Sequence, residues 1–249
     1  FIEAWTGSLA YSLQLYFDFS GYCDMAIGIS LMFGIKLPIN FNSPYKASNI
    51  INFWKSWHVT LSTFLKNYLY IPIGGNKKGI LRRNLNIFMT MLLGGLWHGA
   101  SWNFVIWGGL HGLFIVINHC WKQFVTEPFI KNNKYLNKIY TFLMIPFTFL
   151  FVVLAWVVFR AENFESSLLI YKGCFGYGGL SLPSSFKLWI NESNILFVIF
   201  NNKVTFNGVF INIPDLSSVG GPIEFIMYFV VSMSIVWTFP NTQEFFYYK

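Results

Sequence analysis

The chain has 249 residues, 55% of them hydrophobic, 21% aromatic and only 11% charged, with a mean hydropathy of +0.49. Soluble domains carry about a quarter charged residues, so this composition excludes an ordinary soluble protein and points to an integral membrane one. The formal charge of +7 does not indicate nucleic acid, because the basic residues form short blocks beside apolar runs, where they meet lipid headgroups and set topology.

The sequence opens at Phe1 and enters an apolar run with neither a basic leader nor a small-residue cleavage site, so no signal peptide is read there. It reads as the later part of a longer protein. Four stretches reach the length of about 20 apolar residues that a helix needs to cross a bilayer: Ser8 to Phe33, Leu85 to Asn118, Ile139 to Phe159 and Ile223 to Phe239. In the first, Asp18 and Asp24 flank Phe19-Ser20-Gly21-Tyr22. Carboxylates at membrane depth are functional candidates by default; a hydrogen-bonded structural pair at a helix break near Gly21 is an equal alternative.

Lys36 to Arg83 is amphiphilic and is divided by Pro38, Pro44 and Pro72. Ser48 is positioned to cap a helix from Asn49 to about Tyr70, with Phe53, Trp57, Leu61, Phe64, Leu65 and Tyr68 near one face. His58 follows Trp54 by four positions and would share that aromatic face. Gly74-Gly75-Asn76-Lys77-Lys78-Gly79 has Ile80 and Leu81 where a phosphate loop needs lysine and a hydroxyl, so it reads as a membrane-edge turn. Lys66, Lys77, Lys78, Arg82 and Arg83 favour a cytoplasmic location for this end.

Leu85 to Asn118 is too long for one upright span, and Gly94-Gly95, Gly99, Gly108-Gly109 and Gly112 predict a hairpin or re-entrant pair. Irregular backbone at membrane depth requires cover by protein or water. A second basic block, Lys122, Lys131, Lys134 and Lys138, puts both ends of the segment on one side. Lys172 to Pro222 reads as an extramembrane or interfacial loop, and its Asn191-Glu192-Ser193 sequon carries no weight. Cys23, Cys120 and Cys174 form no redox or zinc spacing. The expected fold is all-α: one polytopic transmembrane domain, residues 1–249, with re-entrant or broken helices.

Two histidines stand in tryptophan-rich apolar sequence, Trp57-His58 and Trp97-His98. Histidine moves protons near neutral pH, so a reaction site is one reading; a core histidine bonded to a neighbouring carbonyl is the other. His111 and His119, eight residues apart on one helix, would stand about 12 Å apart along its axis, too far to ligate one ion. No metal site is expected. His111 reads as a packing residue and His119 as an interfacial one.

Five motifs occur in order: Gln14-Leu15-Tyr16-Phe17-Asp18-Phe19-Ser20-Gly21-Tyr22, Asn40-Phe41-Asn42-Ser43-Pro44-Tyr45, Phe53-Trp54-Lys55-Ser56-Trp57-His58-Val59-Thr60-Leu61-Ser62, Tyr70-Ile71-Pro72-Ile73-Gly74-Gly75-Asn76 and Gly94-Gly95-Leu96-Trp97-His98-Gly99-Ala100-Ser101-Trp102. Together they resemble the membrane-bound O-acyltransferase (MBOAT) family, in particular its bacterial alginate-acetylating branch. The resemblance is strong from Ser12 to Phe114 and extends weakly through Ala155 to Ala161 and Phe239 to Thr242. It places His98 at the family's invariant histidine. His58 takes the second polar position, which is asparagine or aspartate in several eukaryotic branches. It further implies additional spans before this region and a central tunnel.

Acyl transfer from a thioester to a hydroxyl needs a base for the hydroxyl proton and donors for the oxyanion. His98 is the expected base. His58 would orient the acceptor or donate to the carbonyl oxygen, Trp57, Trp97 and Trp102 would shape an acyl channel, and Asp18 would contact substrate. No tightly bound cofactor is expected; the resemblance implies acetyl-CoA or another acetyl thioester as donor. It implies an exported polysaccharide as acceptor, reached through a periplasmic esterase-like partner in some relatives, and a bacterial inner-membrane location among lipids. A transporter or channel component relaying protons through His58, His98, Asp18 and Asp24 is the competing class. It predicts two similar halves with paired broken spans, and none is found. A same-family enzyme acting on a lipid or protein is the third reading.

Overall fold

The computed structural model describes residues 1–177, 180–183, 204–208 and 222–247. Helix α1 spans Ile2–Met32 without interruption at Gly21. A 3-10 turn at Pro44–Lys46 leads to α2, Ile50–Ser56, and α3, Val59–Leu65. A π turn at Lys66–Tyr70 and a glycine-containing turn follow before α4, Gly79–Trp97. Then come α5, Trp102–Trp121, running on as a π turn through Ile130; α6, Lys134–Arg160; and α7, Phe164–Cys174. Strands β1, Leu180–Pro183, and β2, Val204–Gly208, pair in parallel. Helices α8, Pro222–Thr238, and α9, Thr242–Tyr247, close the described chain. The architecture is therefore helical, with one short ladder that the all-α expectation did not include. The rest of the predicted loop, with its sequon, lies outside the described residues.

Among the described residues two helices are long and apolar enough to cross a membrane, Trp102–Ile130 and Lys134–Arg160; Met227–Thr238 is a shorter apolar helix. They take in the Ile139 to Phe159 stretch and the second half of the Leu85 to Asn118 stretch. The predicted hairpin is present as α4 and α5, which pack antiparallel because glycines remove side chains where the backbones meet. A Cβ on Gly95 would overlap the carbonyl oxygen of Phe104, and one on Gly108 that of Met91. At the other end of the hairpin, Arg83, His119 and Lys122 line one cleft, so the two basic blocks do share a side. Ser101 starts α5 by accepting from the Asn103 N–H, and Asn103 Nδ2 donates to the Ala161 carbonyl at 2.7 Å, pinning the hairpin turn to the end of α6.

The expected continuous helix from Asn49 to Tyr70 is corrected in two ways. Asn49, not Ser48, is the cap, accepting from Asn52 N at 2.9 Å. The helix also breaks at Trp57-His58, where His58 has φ +42°. Phe53, Trp57, Leu61 and Leu65 are buried as expected, whereas Phe64 and Tyr68 are exposed. Because of the break, His58 leaves the Trp54 face. The core is aromatic: Tyr45, Phe53 and Trp57 stack on one another pairwise, while Trp57 meets Trp156 of α6 and Trp156 stacks on Trp107 of α5. Val152, Val153 and Ala155 complete the fully buried face of α6. All three cysteines are free thiols.

Candidate active site

The α2–α3 break builds one half of the site. Asn40 Oδ1 accepts from the Thr60 N–H at 3.1 Å and from the Thr60 hydroxyl at 2.6 Å, which fixes which end of the amide faces the break. His58 Nδ1 lies 3.3 Å from the same oxygen. An amide oxygen only accepts, so Nδ1 carries the proton in this pair and a neutral ring leaves Nε2 as an acceptor. Phe19 of α1 meets the ring edge to face at 5.0 Å. Burial holds the His58 imidazole below the usual histidine value, with a contact to its own backbone opposing.

The hairpin turn builds the other half. His98 closes the last turn of α4, its N–H donating to the Gly95 carbonyl at 3.0 Å. Its half-buried imidazole stands among Trp97, Phe104, Trp107 and Phe159, the last two edge to face at 5.1 and 5.3 Å. No side-chain hydrogen bond orients it among the described residues; ring packing does. His58 and His98 come from separate elements that one set of rings joins: Trp57, next to His58, meets Trp156, and Trp156 packs against Trp107 and Phe159, both of which meet His98. The two sequence-predicted histidines therefore share one region.

The remaining candidates are dispersed. Trp57 is in the core at 5% exposure, while Trp97 and Trp102 are 63% and 78% exposed. The three do not meet as one channel wall. Asp18 lies on the exposed side of α1. Asp24 instead accepts from Thr242 Oγ1 at 2.7 Å and Gln243 Nε2 at 3.1 Å, so the expected Asp18–Asp24 pair at a break gives way to a contact between α1 and α9. His111 is fully buried and His119 lines the basic cleft. Among the described residues no three His, Cys, Asp or Glu side chains converge as a metal site. Asn40, Thr60, Trp107 and Phe159 were not singled out from the sequence. Of these, Asn40 and Thr60 carried a signal as members of quoted motifs, and Phe159 a weaker one within Ala155 to Ala161.

The family model described as MBOAT, membrane-bound O-acyltransferase family, matches residues 1–159. The chain belongs to that family. A peptidoglycan O-acetyltransferase of Helicobacter pylori is 51% identical over 212 residues, covering 83% of this chain and 39% of the relative. A probable alginate O-acetylase of Pseudomonas aeruginosa is 45% identical over 193 residues, covering 78% and 34%. A teichoic acid D-alanyltransferase of Bacillus subtilis is 36% identical over 164 residues, covering 62% and 40%. The chain thus spans between about a third and two fifths of the length of these relatives. Both histidine-bearing elements fall inside the MBOAT match.

Proposed function

We propose that this chain is the histidine-bearing part of a multi-pass inner-membrane O-acetyltransferase that moves an acetyl group from a thioester donor to hydroxyls of an exported polysaccharide. The observation that carries the reading is that one aromatic cluster joins the elements bearing His58 and His98, each held at a local break in an otherwise helical chain. The relatives' names add support: all three describe transfer of a small acyl group to an envelope or exported polymer. Alginate, peptidoglycan and another exopolysaccharide are alternative acceptors.

The chemistry follows from the rings. His98 takes the proton of the acceptor hydroxyl as its oxygen forms a bond to the thioester carbonyl carbon. The tetrahedral oxyanion then collapses, the carbon–sulfur bond breaks, and the imidazolium returns the proton to the leaving sulfur. His58, with Nδ1–H engaged by Asn40, presents Nε2 as a lone pair. It therefore orients the acceptor hydroxyl, the first of its two expected roles; donation to the carbonyl oxygen would require the charged ring. Hairpin geometry supports a direction of traffic: α5, part of a helix long and apolar enough to cross a membrane, runs 20 residues from the turn beside His98 to the basic cleft, about 30 Å at 1.5 Å per residue, close to the roughly 30 Å of a bilayer core. His98 thus stands a membrane's depth from the basic, donor-facing end, toward the side where an exported acceptor waits. Acetyl-CoA or another acetyl thioester is the donor, reaching His98 through a tunnel completed by the rest of the protein. A periplasmic esterase-like partner is the proposed last carrier.

General-base help is worth ~10²–10⁴ in rate, so His98→Ala in the full-length protein is expected to reduce acetyl transfer by that factor. The measurement is mass spectrometry of envelope polysaccharides from cells carrying wild-type or variant protein. Wild-type acetylation in the variant would refute the base assignment, and solute flux without covalent transfer would favour the transporter reading.

A further inference from the structure

His98 has no hydrogen-bonded orienter among the described residues, although a base must be held to work. Its packing leads to another histidine. Trp107 stands perpendicular to the His98 ring with centroids 5.1 Å apart, and His111 packs against Trp107 at 4.9 Å and 70°. His111 is fully buried, stacks on Phe53 at 8°, and receives the Trp54 indole N–H on Nδ1 at 3.2 Å. An indole nitrogen only donates, so Nδ1 of His111 is unprotonated and the proton of the neutral ring is on Nε2.

That Nε2, and the Nε1–H of the neighbouring Trp107, are sealed from solvent with no hydrogen-bond partner among the described residues. A packing residue could have been aliphatic and avoided this cost. The surrounding rings, Phe53, Trp54, Trp107, Phe114 and Trp156, offer π faces rather than lone pairs, and edge-to-face packing uses such faces.

We infer that His111 is a positioning residue for the His98 site: the Trp54–His111 hydrogen bond locks one tautomer and one ring plane, which braces Trp107 as the wall that orients His98. This rests on the acyl-transfer reading and extends it, since neither Trp54 nor His111 touches the reacting atoms.

The test uses the full-length membrane protein. His111→Leu removes the acceptor and His111→Asn restores one at the Nδ1 position. Trp54→Phe removes the donor while keeping a ring. Val152→Ala, a fully buried site on α6, controls for general loosening. His111→Leu and Trp54→Phe are expected to lower kcat roughly 10- to 100-fold, since small misplacement of a base costs up to about 100-fold, with donor KM held within about twofold. His111→Asn should recover most of the loss, and Val152→Ala should lower thermal stability while sparing kcat. In ¹⁵N spectra of histidine-labelled protein, the His111 signals should show a proton on Nε2 in the wild type and lose that fixed pattern in Trp54→Phe.

Equal impairment by Leu and Asn, a wild-type kcat in Trp54→Phe, or an equal loss in Val152→Ala would overturn the inference. If His111→Leu does not fold, Trp54→Phe and the spectra decide alone. Failure of the underlying reading looks different: there His98→Ala itself leaves acetyl transfer intact.

Discussion

A single amide oxygen organises the His58 side of the site, since Asn40 Oδ1 takes bonds from Thr60 and from the imidazole. Asn40→Ala should free the ring to rotate and cost about 10- to 100-fold in acetyl transfer, measured on the full-length protein, with little change in donor KM. The pH dependence follows from burial. His58 is held below the usual value of 6.5, so below that pH the unfolded chain binds more protons than the folded one. Its contribution to stability is intact above the unfolded value and falls as pH drops through it. Thermal unfolding at pH 7.5 and pH 5.5 should therefore show a smaller acid-induced loss in His58→Asn than in wild type. Sequence reasoning found both histidines because polar residues stand out in apolar runs. It missed Trp107 and Phe159, because aromatic residues in a chain that is 21% aromatic carry no contrast.

At the scale of elements, the α4–α5 hairpin was legible because its glycines are spaced where backbones must touch. Gly95→Ala or Gly108→Ala puts a methyl group onto a facing carbonyl oxygen, and overpacking of this kind costs about 1–3 kcal/mol. Either change should lower thermal stability in detergent and displace His98 at the turn, reducing activity as well. Gly109→Ala, whose added carbon meets only the Phe88 ring at 3.8 Å, should be tolerated, which makes it the comparison. The break between α2 and α3 was not legible. Trp57-His58-Val59 contains no glycine or proline, and the apolar spacing runs on through it; tertiary contacts of Phe41 and Trp156 with Trp57 override the local pattern.

For the whole molecule, the C-terminal segment returns to the first helix, to the motif at residues 40–45 and to Lys46 beside it. Thr242 and Gln243 bond Asp24, Asn241 bonds Asn42 and Ser43, and Lys46 Nζ donates to the Phe239 carbonyl at 2.6 Å. Asp24→Leu leaves Thr242 and Gln243 without their acceptor. Limited proteolysis should then cut near α9 faster than in wild type while α5 and α6 stay protected. This closure was only faintly visible in the sequence, as a weak motif from Phe239 to Thr242, because contacts about 200 positions apart leave no periodic trace. Helical class and family were legible from composition and motif order; which apolar stretches form long membrane-length helices was legible only in part, because apolar length counts buried and lipid-facing residues alike.

The left-handed backbone at position 58 acts as a filter on replacement. Asparagine, aspartate and histidine are the side-chain-bearing types that enter this region most readily, and β-branched residues resist it. Two of these, asparagine and aspartate, are the types that the resemblance implies at this position in several eukaryotic branches. Glutamine or glutamate would offer comparable polar atoms and yet fit the corner poorly. Replacement at this spot is therefore limited by conformation before chemistry, and any redesign of position 58 must rebuild the corner first.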